Sequence, residues 1–152
     1  MPETFRSPET YSKLIIEGKV FFYDRDTSKI EKIEKGKEYV LGKDRNQKNP
    51  VTIGRENTVS VLDWIKGKKI GTKEIRDILL SEKYGYASRE HCEIFYDKDK
   101  DAYFLVDCSL NGTLVNGKRV GGNRVRETRR LEHGDLIEIP AVGEKIKMTF
   151  LM

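Results

Sequence analysis

From Leu14 to Leu151 the chain is cut into short runs of β-forming residues by glycine, asparagine and aspartate. That punctuation points to strands and turns. The clearest run is Lys145–Leu151, where Ile146, Met148 and Phe150 alternate with Lys145, Lys147 and Thr149. This is the period-2 pattern of a strand with one buried face. The same reading places one or two strands in Leu14–Asp24, centred on Val20–Tyr23. Others fall at Glu38–Leu41, Val51–Ile53, Val59–Leu62, His91–Tyr96, Ala102–Val106, Thr113–Val115 and Leu136–Ile139. Asp97–Asp101 reads as a charged hairpin loop, and Asn116-Gly117 as a turn dipeptide. About nine to eleven such strands argue for an all-β sandwich. One stretch departs from the pattern. Ile75, Ile78 and Leu79 recur at helical spacing behind Thr72, a capping residue, and ahead of Gly85, a stop. A helix from Thr72 to about Lys83 is therefore expected, within an insertion at about 64–86.

Residues 1–13 are polar and repeat Pro-Glu-Thr at Pro2–Thr4 and Pro8–Thr10, which reads as a flexible N-terminal arm. Residues 14–152 suit a single domain. Charged residues make up 36% of the chain, and no apolar stretch approaches the roughly 20 residues that span a bilayer. Met1–Arg6 lacks the basic-then-apolar layout of a signal peptide. The expected setting is intracellular, cytoplasm or nucleus, with no membrane. Cys92 and Cys108 do not combine with His91 and His133 into a zinc spacing. They read as buried free thiols, and no metal or cofactor is expected. The net charge of +4 is unevenly placed. Arg124, Arg126, Arg129 and Arg130 crowd one predicted loop, and Lys66, Lys68, Lys69 and Lys73 crowd another. Such runs are either a solvated face or an attraction for an anionic partner.

Gly54-Arg55 stands ahead of Ser88-Arg89-Glu90-His91. Asp107-Cys108-Ser109-Leu110-Asn111-Gly112-Thr113 and Asn116-Gly117 follow, and then Leu131-Glu132-His133-Gly134-Asp135. This ordered set of motifs, within about Val20 to Phe150, resembles a forkhead-associated (FHA) domain. The resemblance implies an FHA-like β-sandwich of about eleven strands, with one helical insertion between the Gly54-Arg55 and Ser88 loops. It implies binding of phosphothreonine in partner proteins for signalling or complex assembly, without catalysis. Arg55 would give its guanidinium to the phosphate and Ser88 its hydroxyl. Arg89 would contact phosphate or peptide, and Asn111 the peptide backbone. Leu110 sits where a polar residue is common in the family. His91 would brace the site from beneath, and Gly54, Ser109, Gly112, Asn116 and Gly117 would support its loops. Tyr86, with Tyr84 and Gly85, would line a specificity pocket. The chemistry agrees: a phosphate carries about −1.5 to −2 charges and three acceptor oxygens, and arginine's planar fork matches it bidentately.

Other readings compete. Ser88, His91 and Asp107 invite a hydrolase triad, although no nucleophile elbow is present. The two basic runs invite a nucleic-acid-binding β domain, but the aromatics follow core periodicity rather than forming a stacking surface. The surface could also serve constitutive protein–protein assembly, or accept phosphorylated Thr4 or Thr10 of a second copy. The oligomeric state is open. The segment Asn116–Asp135 faintly resembles the FHA domains of checkpoint-type kinases. The chain itself carries neither a His-Arg-Asp loop nor Asp-Phe-Gly.

Overall fold

The structure is a computed structural model. It describes residues 12–18, 20–24, 27, 29–33, 37–42, 49–55, 77–80, 87–88, 90–140 and 145–152. In chain order the described strands are β1 (Lys13–Glu17), β2 (Val20–Asp24), β3 (Lys29–Ile33), β4 (Lys37–Val40), β5 (Val51–Arg55), β6 (Ile78–Leu80), β7 (Cys92–Asp97), β8 (Ala102–Asp107), β9 (Thr113–Val115), β10 (Lys118–Val120), β11 (Glu127–Arg130), β12 (Leu136–Ile139) and β13 (Ile146–Leu151). They form a six-stranded sheet, β10-β9-β12-β13-β1-β4, and a seven-stranded sheet, β11-β8-β7-β5-β6-β2-β3. This is the all-β sandwich that the strand pattern implied, with thirteen described strands where the FHA resemblance implied about eleven. The expected Val59–Leu62 strand and residues 1–11 of the expected 1–13 arm lie outside the described residues; at the end of that arm Ser12 is instead buried and Lys13 opens β1.

The core lies between the sheets and follows the period-2 pattern. Ile146, Met148 and Phe150 of β13 are buried, while Lys147 is exposed. They meet Leu14, Ile16, Ile137 and Ile139 from their own sheet and Ile53, Ile78, Leu80, Ile94 and Leu105 from the other. Each fully buried aliphatic or aromatic side chain contributes about 1.5–3 kcal/mol relative to exposure.

The expected helix is not what the chain forms at its described residues. Ile78–Leu80 is a strand, parallel to β5 and antiparallel to β2. Its three side chains alternate as a strand requires. Ile78 and Leu80 enter the main core, and Leu79 joins Tyr23, Phe21 and Ile30 on the outer face. The strand fills the gap between β5 and β2, pairing backbone groups on both sides that would otherwise stay unsatisfied. A parallel neighbour needs a connection of a dozen or more residues, and residues 56–77 supply that length. Buried Asp77 locks the join: its carboxylate accepts from the Thr52 amide (2.9 Å) and hydroxyl (3.0 Å), and its own amide donates back to Thr52 Oγ1 (3.1 Å). Helical spacing within a three-residue apolar run cannot separate helix from buried strand, and here tertiary pairing decides. The rest of the predicted helix lies outside the described residues.

The Arg-rich predicted loop also resolves differently. Arg129 and Arg130 lie in β11, paired antiparallel with β8. β11 is the edge of its sheet, and a charged strand there discourages edge-to-edge pairing with another chain. Among the described residues no helix is long and apolar enough to cross a membrane.

Candidate functional site

Three segments meet at one end of the seven-stranded sheet. Strand β5 ends at Arg55, whose amide donates to the Ser88 carbonyl at 2.9 Å. Ser88 Oγ in turn accepts from the Leu110 amide at 3.0 Å. Two hydrogen bonds thus tie the β5 tip, Ser88 and the 108–112 loop together. Leu110 is exposed, while Arg55, Ser88 and Asn111 are part-exposed.

His91 holds this junction from below and is fully buried. Its Nδ1 accepts the Ser88 amide hydrogen at 3.0 Å, which leaves the ring proton on Nε2 to donate to the Gly112 carbonyl at 3.0 Å. Its backbone continues the brace, with its amide on the Ile53 carbonyl and its carbonyl accepting from the Cys108 amide. Burial pushes the imidazole below its ordinary pKa, although Asp107 and the Gly112 carbonyl pull the other way. The ring is therefore neutral, as its two hydrogen bonds require.

The 108–112 loop is shaped by buried Asp107. Its carboxylate accepts from the Ser109 amide (3.0 Å), the Ser109 hydroxyl (2.9 Å), the Thr113 hydroxyl (2.6 Å) and the Gly122 amide (3.2 Å). Ser109 Oγ accepts from the Gly112 amide at 2.7 Å, closing a turn at a φ of +85°. Glycine is favoured there because the left-handed region is costly for residues with a Cβ. A buried carboxylate with this many donors makes the loop rigid, which a binding loop needs.

The predicted residues separate into three groups. Arg55, Ser88, Leu110 and Asn111 come together, supported by His91, Ser109 and Gly112, while Gly54 is a buried residue of β5 opposite Leu79. Asn116 and Gly117 form the β9–β10 turn at the other end of β9. There Asn116 donates to Asp135 Oδ1 (2.8 Å) and accepts from the Leu136 amide (2.9 Å), so they brace that end of the sandwich. Arg89 and Tyr86 lie outside the described residues. Sequence reasoning passed over Asp135 as a carboxylate hub, and over Thr113, Gly121 and Gly122. A Cβ on Gly121 would stand 2.2 Å from Asp107 Oδ1. The Gly-Gly pair after Val120 was the available signal.

The competing arrangements look different in place. His91 meets Ser88 through the backbone amide, not the hydroxyl. Asp107 Oδ2 is 4.0 Å from Nε2, the nitrogen already engaged by Gly112. Of the basic run, Arg126 faces Glu93 (3.5 Å) and Arg130 faces Glu132 (3.6 Å). Cys92 is buried, as expected, but Cys108 is only half-buried beside Arg126.

The family profile of the FHA domain matches residues 51–140, from the start of β5 past the end of β12. The chain belongs to the FHA domain family. FHA domains are in general phosphopeptide-binding modules. The chain is 37% identical over 93 residues to the human "Angiogenic factor with G patch and FHA domains 1", covering 60% of this chain and 11% of that protein. It is 34% identical over 112 residues to the Saccharomyces cerevisiae "Meiosis-specific serine/threonine-protein kinase MEK1", covering 67% of this chain and 21% of the kinase. It thus spans a small part of the curated relatives it matches. Among solved structures, the kinase-interacting FHA domain of the Arabidopsis kinase-associated protein phosphatase KAPP is 22% identical with a TM-score of 0.55. That match covers 93% of this chain and 95% of that one, and it shows a shared fold.

Proposed function

We propose that this domain binds phosphothreonine in partner proteins, without catalysis, at the junction of Arg55, Ser88 and the Leu110–Asn111 loop. The observation that carries this reading is the hydrogen-bonded link from the Arg55 amide to Ser88 and from Ser88 Oγ to the Leu110 amide. A hydroxyl has one hydrogen to donate and two lone pairs. The Leu110 amide occupies a lone pair, so the Ser88 O–H is left to donate to a phosphate oxygen. Arg55 supplies a planar guanidinium for bidentate contact, and Arg89 a second cation. Asn111 offers an amide for the peptide backbone, and Leu110 an apolar contact beside it. His91 acts through Ser88 and Gly112 as a positioning residue.

The test is capture from a degenerate peptide library carrying phosphothreonine, phosphoserine or unmodified threonine. The reading expects selective retention of phosphothreonine peptides, lost in Arg55→Ala. Equal retention of all three libraries would overturn it.

A further inference from the structure

Beside the Leu110–Asn111 loop lies a second one, Gly121–Arg126, and the two are joined by backbone. The Asn123 amide donates to the Leu110 carbonyl (2.6 Å) and the Arg124 amide to the Ser109 carbonyl (2.9 Å). On its other side the Gly121 amide donates to Glu127 Oε2 (2.8 Å) and the Gly122 amide to Asp107 Oδ1 (3.2 Å). Four consecutive residues hold positive φ: Gly121 at +72°, Gly122 at +106°, Asn123 at +54° and Arg124 at +60°. Left-handed backbone at a non-glycine costs free energy and persists where the surroundings over-determine it. Arg124 is kept in that conformation and exposed at the rim of the candidate site.

Arg119, on β10, lies between the same two loops. A Cβ on Gly112 would stand 2.7 Å from its Nε, and a Cβ on Gly122 would stand 2.1 Å from its Nη2. The two glycines therefore clear a slot through which the Arg119 side chain passes next to Asn111. Four surface cations of this domain face carboxylates: Lys13 faces Glu38, Arg126 Glu93, Arg130 Glu132 and Lys145 Glu138. Neither Arg119 nor Arg124 has a carboxylate within ion-pair distance among the described residues. The Arg119 guanidinium and the exposed Arg124 thus stand beside the Asn111 loop, with no side-chain hydrogen bond or ion pair of either among the described residues.

We propose that Arg119 and Arg124 form an anion subsite that selects a negatively charged side chain flanking the phosphothreonine in the bound segment. This rests on the phosphothreonine reading above. The charged group is either a carboxylate or a second phosphorylated residue, since both offer acceptor oxygens to a guanidinium. The subsite determines specificity, and the Arg55–Ser88 junction holds the first phosphate.

The experiment measures affinities for a set of phosphothreonine peptides in an alanine background. A single aspartate, phosphoserine or lysine is walked through the three positions on either side. At one position or more, the wild-type domain should favour the aspartate peptide over the alanine peptide by about threefold to fivefold, the upper part of the range of an exposed ion pair. A dianionic phosphoserine should gain more if a second phosphate is the natural ligand, and no more than aspartate if a carboxylate is. Arg119→Gln should bring the ratio near one, and Arg119→Glu should turn the preference toward lysine. Lys118→Glu makes the same charge change one residue away, outside the slot, and should leave the ratio as it was. Retained preference in both Arg119 variants, or equal loss in Lys118→Glu, overturns the subsite while phosphothreonine dependence stands. Failure of every phosphopeptide to bind overturns the underlying reading and the subsite with it.

Discussion

At the scale of single residues, the candidate site divides into groups that would touch ligand and groups that hold them. Arg55→Ala removes a charge-assisted contact and should cost about 2 kcal/mol of phosphopeptide affinity, with folding unaffected. Ser88→Ala should cost less affinity, because it also frees the Leu110 amide to bond water. Calorimetric titration of both variants checks the order. His91 belongs to the second group. Its folded pKa lies below the ordinary 6.5 because burial disfavours the charged ring. Between those two values the unfolded chain binds the extra proton, so stability is full above about pH 6.5 and falls as the pH drops through the depressed folded pKa. Thermal melts from pH 7.5 to 5 should show this decline, and His91→Asn should flatten it while lowering stability throughout. A parallel decline in the variant would assign the pH dependence elsewhere. Much of this scale was legible in sequence, because Arg55, Ser88, His91 and Asn111 stand in a recognisable order. The full donor set of Asp107 was not, since Thr113 and Gly122 reach its carboxylate only once the loops are folded.

At the scale of elements, the segment between Arg55 and Ser88 is the most informative. Its described part is a strand that completes the seven-stranded sheet rather than a helical decoration. Asp77→Ala should therefore destabilise the domain by about 1–3 kcal/mol, because it strips the partner from the part-buried Thr52 amide and hydroxyl. Urea unfolding measures this, and a loss within experimental error would contradict the strand's structural role. Strands with strict alternation, such as β13, could be read directly. β6 could not, because three consecutive apolar residues fit a buried strand and a helix face equally well. β11 was missed for the opposite reason. An edge strand of Glu-Thr-Arg-Arg buries almost nothing, so it leaves no hydrophobic period to read.

At the scale of the molecule, one core supports two ends with different duties. Phe150 sits at zero exposure in the core and packs edge-on against Tyr103 at 5.5 Å. Phe150→Ala should cost about 3–5 kcal/mol of stability, measured by denaturant unfolding. The fold class was legible because a sandwich needs little more than alternation and turns. The convergence of β5, Ser88 and the 108–112 loop was not, because sequence distance hides which strand ends are neighbours. The proposed ligand site is that convergence, with the Arg119 and Arg124 subsite at its rim. The most direct measurement is an amide NMR titration with a phosphothreonine peptide. Ser88, Leu110 and Asn111 should shift in a saturable way that unphosphorylated peptide does not reproduce. Shifts confined to the opposite end, at the Asn116-Gly117 turn and Asp135, or identical shifts with the unphosphorylated peptide, would contradict this site.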